Sequence, residues 1–395
     1  MKKVWREAET AAELLAAARG WRAAGLIGET AFSAISADLS SSGPRLGEIW
    51  RVLVFICVLV GVSTATVIGF ISFGVRSAGG VGVTLLIFGV ALATITDIVI
   101  DRSSFQPTGA EAATSLLSVG YLCAAVFVLL DDLHLGGHGA LRLTYPWCAS
   151  VFALAAWRWG FRLYAGVAAL CVLLLASQFP GARAIWIAVA VLLAAWATVA
   201  RTTRELTPSH RGGVDLVRIV ALAAIYLAVN YYSVDKGFIE EIGRIAGAPP
   251  HHAGGVGLLL AGIGSALYPL AVLAWGLRAR DRTLIGLGIL AAALSLTTIR
   301  FYIHVAPLWV VLAASGAALA GTSLLLERWL RSGVDAERFG FSAAPLYDEG
   351  RRERLLPVAA ALALAPAARV LPDEQTGVAG KGGAFGGGGA TGSFS

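Results

Sequence analysis

Residues 52–74 read VLVFICVLVGVSTATVIGFISFG, twenty-three consecutive positions without a charged side chain. At 1.5 Å per residue a helix of that length is about 34 Å long, enough to cross the ~30 Å hydrocarbon core of a bilayer. Lipid offers no hydrogen bonds to an open backbone, so a single apolar segment of this kind is satisfied only as a helix. The stretch decides the class: this is an all-α membrane protein.

Working outward, comparable runs lie near 81–100, 112–130, 142–157, 162–178, 182–200, 216–233, 254–277, 283–299 and 305–326. Most approach the ~20 residues a crossing needs, and the shorter ones lean on flanking Trp, Tyr and Arg. The expectation is a polytopic bundle of about ten transmembrane helices over residues 49–327. Only residues 158–160 separate the fourth run from the fifth, and the ninth is weak, so counts of nine and eleven stay open. Composition agrees. Charged residues make up 14% of the chain, where a soluble chain carries about 25%, and the mean hydropathy is +0.74.

The net charge of +6 does not imply a nucleic-acid partner, because the basic residues form no patch. They sit at the ends of the runs and report topology. With the N-terminus inside, 25 of the 31 Lys and Arg are cytoplasmic, among them Arg158, Arg162, Arg201, Arg204, Arg211, Arg218, Arg278, Arg280 and Arg282. Outside remain Arg76, Arg142, Arg183, Lys236, Arg244 and Arg300. The positive-inside bias therefore predicts both termini in the cytoplasm. Residues 1–48 hold no signal-peptide core, so the first span directs insertion.

The ends are built differently from the middle. Residues 1–48 carry two short helical stripes, Trp5, Ala8, Ala11, Leu15 and Ala18, then Phe32, Ile35 and Leu39, which predict a cytoplasmic helical hairpin. Residues 328–379 form a cytoplasmic segment whose apolar piece, 355–368, is interrupted by Pro357 and Pro366 and reads as a short interfacial helix. Residues 380–395 are a flexible Gly-rich tail. Cys57, Cys123, Cys148 and Cys171 all fall inside runs without metal-ligand spacing, and are expected as small buried apolar residues.

Ionisable residues inside spans usually mark function, because burying one in lipid costs several kcal/mol. Here Asp97 is the clear case, with Asp101 one turn on and Asn230 near the end of the seventh span. These form a candidate intramembrane polar site for a cation or proton, with Thr94, Thr96, Thr297 and Thr298 as further polar wall. The plainer reading of Asp97 is a helix-end carboxylate, solvated or paired with an Arg such as Arg102. A second candidate is an outer-face cluster of Glu240, Glu241, His251, His252, Arg300 and His304, able in principle to bind a metal or act as acid and base. Glu240 and Arg244 stand at a spacing that allows them to pair. The loops holding Asp131, Asp132, His134, His138, Asp235 and Lys236 lie on the same face. Gly257, Ala261 and Ser265 repeat every four residues, a helix-packing signal. No phosphate-binding loop, nucleophile elbow or zinc-protease motif is present, and no cofactor or metal is expected.

Residues 18–29, ARGWRAAGLIGE, followed by an abrupt first span, resemble the opening of a family of bacterial predicted polytopic membrane proteins of unknown function. The tail, 382–394, GGAFGGGGATGSF, is similar to the Gly-rich endings of TPM-domain proteins, although no TPM domain precedes it. The first resemblance implies the bacterial inner membrane; the second implies a tail that something recognises. Neither supplies catalytic residues. The readings that follow are a non-catalytic scaffold, sensor or assembly factor with a protein partner at the hairpin or tail, then a transporter or channel, then an enzyme of the outer face.

Overall fold

The computed structural model describes residues 3–39, 48–102, 109–133, 136–203, 206–245, 255–302, 307–332, 337–338 and 341–342. Almost all of these are helical. In chain order the helices are α1 (Lys3–Ala23), α2 (Glu29–Leu39), α3 (Glu48–Ser72), α4 (Ala78–Arg102), α5 (Ala110–Asp132), α6 (Gly136–Trp159) and α7 (Arg162–Ala176). They continue with α8 (Ala182–Thr203), α9 (Pro208–Val229), α10 (Tyr231–Asp235), α11 (Phe238–Ile245), α12 (Gly255–Arg278), α13 (Arg282–Tyr302) and α14 (Leu308–Arg331). A two-residue antiparallel pair, Glu337–Arg338 with Phe341–Ser342, follows.

Each of the ten apolar runs falls on a helix, α3 to α9 and α12 to α14. Among the described residues seven of these, α3, α4, α5, α8, α9, α12 and α13, are long and apolar enough to cross a membrane. Helix α6 is as long, at 24 residues, but its first half carries Arg142, Tyr145 and Pro146. Helix α7 is apolar yet only 15 residues long, about 22 Å.

The distribution of side chains is that of a lipid-solvated bundle. Large apolar residues stand outward: Ile56, Val60, Ile68 and Ile71 of α3, Leu154 of α6, Leu192 of α8 and Leu259 of α12 are all exposed. About half of the buried apolar residues are alanines, because small side chains let backbones approach where no hydrophobic effect separates helix from lipid. Cys57 shares the outer face of α3 and is exposed, against expectation, whereas Cys171 is buried; all four thiols are free.

Four antiparallel neighbours, α4 with α5, α6 with α7, α8 with α9 and α12 with α13, make the main contacts, and α7 also packs along α9. One core cluster joins α4 to α7 through Ile100, Val119, Val151, Trp159 and Tyr164. A second joins α7, α8 and α9 through Leu173, Trp186, Ala190 and Ala224, with Ile239 of α11 closing one end. Interhelical hydrogen bonds tie the layers. Ser118 Oγ donates to the Gly89 carbonyl at 2.8 Å, Trp147 Nε1 to Leu122 O at 3.0 Å and Tyr268 Oη to Leu222 O at 2.6 Å. The end at which α6 turns into α7 is called proximal below, and the end at which α7 turns into α8 distal. Arg158 and Arg162 flank the proximal turn, which Gly160 makes possible by adopting φ of 73°.

Helices α1 and α2 contact each other across a turn at Gly25, where Arg22 pairs with Glu29 at 3.0 Å. The guanidinium of Arg22 also lies 4.2 Å above the Phe32 ring.

Candidate functional site

At the proximal end Asp97 is gripped by α6. Arg158 donates from Nη2 at 2.6 Å and from Nε at 3.2 Å to Oδ2, and Trp159 Nε1 donates to Oδ1 at 3.0 Å. The arginine that engages it comes from another helix, 61 positions along the chain, and sits at the Gly160 turn. Asp101, one turn beyond Asp97, is also engaged. The threonines proposed as a polar wall turn their hydroxyls back onto their own helices: Thr94 to Val90 O, Thr96 to Leu92 O, Thr297 to Ala293 O and Thr298 to Leu294 O, all at 2.8–3.1 Å.

The same end holds a group that sequence reasoning assigned only to topology. Arg201 of α8 donates to Asp215 of α9 at 2.9 Å and to Asp281, in the α12–α13 turn, at 2.8 Å. Arg218 of α9, 4% exposed, donates to Asp281 at 2.6 Å. Asp281 in turn accepts from the Thr283 amide and so caps α13. Two cations and two anions thus bind α8, α9, α12 and α13 together. Burial pushes the Asp281 carboxyl up, but the hydrogen bond and charge of Arg218, with Arg201 and the Thr283 amide, outweigh it and hold the group below its ordinary 3.8. The sequence signal for this group was the Asp215/Arg218 spacing and the Asp-x-Thr cap, but nothing in the chain announces that they meet.

At the distal end α9 stops at Asn230, whose extended backbone starts the short α10. The Asn230 side-chain Oδ1 accepts from the backbone amides of Tyr232 and Ser233, at 3.1 and 3.3 Å. Its Nδ2 donates to Tyr226 Oη at 2.8 Å and to Thr298 Oγ1 at 3.2 Å, and Tyr226 Oη meets Ser295 Oγ at 3.0 Å. The Tyr231 amide donates to Ser265 Oγ at 2.7 Å. A buried polar relay therefore links α9, α12 and α13. Ser265, the last member of the small-residue stripe, belongs to it.

The outer-face cluster is divided. Glu240 is held by Arg183, through Nε at 2.9 Å and Nη2 at 2.6 Å, while the same guanidinium also donates to Ala228 O and Ser233 O. Glu241 pairs instead with Arg244, at 2.5 Å. The expected Glu240–Arg244 pair is thus replaced: adjacent helical residues point about 100° apart, and Glu240 faces the bundle. The Arg244 hydrogen bond lowers the Glu241 carboxyl, and the Tyr302 hydroxyl, with Lys236, lowers that of Asp235. Arg300 sits half-buried, with no partner for its Nε among the described residues. His251, His252 and His304 lie outside the described residues, as does His134. Among the described residues no three His, Cys, Asp or Glu side chains are arranged to hold a metal.

A groove of about 670 Å³, unsuspected from sequence, lies between α6, α7, α8 and α9. Its volume falls in the range of small-molecule sites, about 300–1,000 Å³. Its floor is Ala165, Ala168, Ala169 and Val172 of α7, and its walls include Ala153 and Trp157 of α6 and Leu193 and Trp196 of α8. Trp157 and Trp196 are 64% and 47% exposed, so the groove opens on the outer surface of the bundle. Thr207, Ser209 and His210 close its proximal end. The His210 ring bridges two helices, with Nδ1 2.7 Å from Thr207 Oγ1 and Nε2 3.2 Å from the Trp157 carbonyl. The small residues that create it look, one helix at a time, like ordinary packing positions.

Neither protein-family models, nor curated proteins, nor solved structures give a match to the chain.

Proposed function

We propose that this integral membrane protein is a non-catalytic scaffold, sensor or assembly factor of the bacterial inner membrane. In this reading it crosses the bilayer ten times and keeps both ends in the cytoplasm. Its partner engages the N-terminal hairpin or the Gly-rich tail. The observation that supports it is the fate of the charges in the bundle. Asp97, Glu240, Asp215 and Asp281 are each engaged by an arginine from another helix. A carboxylate fixed in such a pair ties helices together; a carrier's carboxylate has to exchange partners with an ion. The same pairing argues against an outer-face enzyme, since Glu240 and Glu241 answer to different arginines.

A transporter or channel is the second reading, favoured by the break at Asn230 and its polar relay. Discontinuous helices at substrate sites lie near the bilayer midplane. The break here follows 22 helical residues, about 33 Å from the start of α9, which is the far side of a hydrocarbon core. That depth favours a cap at the distal surface.

The full-length chain, purified in mild detergent, is expected to bring down a specific protein partner, and the same chain in proteoliposomes to take up no ion or solute above empty vesicles. Uptake abolished by Asn230→Ala would replace this reading with transport.

A further inference from the structure

We infer that the groove between α6 and α9 is a binding site for one anionic phospholipid of the surrounding bilayer, held with an acyl chain in the groove and its phosphate at the proximal end. Three observations carry this. The walls and floor are mainly alanine, valine, leucine and tryptophan, which offer an alkyl chain apolar contact, with the two indole N–H groups as their only side-chain donors. The groove opens on the exposed rings of Trp157 and Trp196, on the surface that lipid covers, so its occupant comes from the bilayer without passing through water.

The third observation is the change of chemistry at one end. Thr207, Ser209 and His210 line it, and the first amides of α9, a 22-residue helix with no acidic residue in its first turn, begin there. Arg162 lies across the α9 backbone at Gly212, where a side chain would collide with its guanidinium stem. Arg211, the residue before Gly212 in α9, is exposed. The nearest described carboxylate of α9, Asp215, is already engaged by Arg201 and Arg218. Arg204 and Glu205 lie outside the described residues. Arg162 thus sets positive charge next to Phe161 and Gly213 of the groove lining, at the proximal mouth, where it complements a phosphodiester, and the apolar lining continues along α7 as far as Val172. A zwitterionic lipid fits the channel equally but gains less at the mouth.

The test uses the full chain in vesicles of equal parts phosphatidylglycerol and phosphatidylcholine, with a photoreactive diazirine on the acyl chain of one lipid at a time. Labelled phosphatidylglycerol is expected to cross-link to Ala168 and Val172 on the groove floor, where bulk lipid has little access. Labelled phosphatidylcholine is expected to mark only outward residues such as Leu163 and Leu170. Ala153→Phe, which fills the groove from an exposed position on its α6 wall, should abolish the floor labelling. Arg162→Gln should keep it but reduce the preference for phosphatidylglycerol about tenfold, the loss of one charge-assisted hydrogen bond. Floor labelling that is equal for the two lipids overturns the assignment. So does a floor that stays unlabelled, because the groove is then closed to lipid, by residues 355–368 of this chain or by a second copy.

Discussion

At the scale of single residues, burial decides which ion pairs matter. Arg218 is 4% exposed and faces an Asp281 that is 10% exposed. Arg158 and Asp97 are 41% and 30% exposed. Removing one partner of a buried pair strands the other charge, whereas a half-exposed pair is eased by water. Arg218→Ala is therefore expected to cost about 3 kcal/mol and Arg158→Ala about 1 kcal/mol, read as thermal unfolding in one detergent. Asp281 adds a pH signature. Its folded-state value lies below the ordinary 3.8, so the native state holds fewer protons than the unfolded chain. The stabilisation is complete above that ordinary value and is lost as pH falls through the lower folded one. Asp281→Asn should remove that acid-side loss, and a pH series of melting temperatures checks it. Asp97 itself was legible in the sequence as a costly residue in lipid. Its pairing with Arg158 was not, since that depends on how α4 and α6 lie together.

At the scale of elements, the helices were legible because an uninterrupted apolar run has one satisfied conformation in lipid. The short helix α11 was also legible, from the spacing of Glu240 and Arg244. Its contacts were not, because spacing alone does not say which turn faces the bundle. The count of crossings is where hydropathy is weakest: α6 and α7, which share one short turn, are respectively too polar and too short for a simple criterion. That turn depends on Gly160, whose φ of 73° strains any side chain. Gly160→Ala is expected to destabilise the chain by about 1 kcal/mol and to loosen the neighbouring Arg158–Asp97 pair. The coupling energy of a double-mutant cycle on that pair, measured in both backgrounds, should fall in the alanine variant.

At the scale of the molecule, the groove was invisible in the sequence because four helices contribute to it and each supplies only small residues. The shortness of α7 was printed there all along, and it has a mechanical consequence. Arg142 donates to the carbonyl of Gln178 at 3.4 Å, which sets the end of α7 beside a point on α6 with six residues, about 9 Å of helix, still to come. The Gln178 side-chain amide is fully buried there, its Oε1 and Nε2 without a hydrogen-bond partner among the described residues. In the ten-crossing reading the protein presents a thin place to the membrane, where the apolar height of α7 is about 22 Å against the ~30 Å of a hydrocarbon core. Lipids beside it have to compress, and the elastic strain grows with chain length. The melting temperature should then be higher in vesicles of short-chain phosphatidylcholine than in long-chain ones. A protein with such a dip in its profile feels the stiffness and thickness of its host membrane directly.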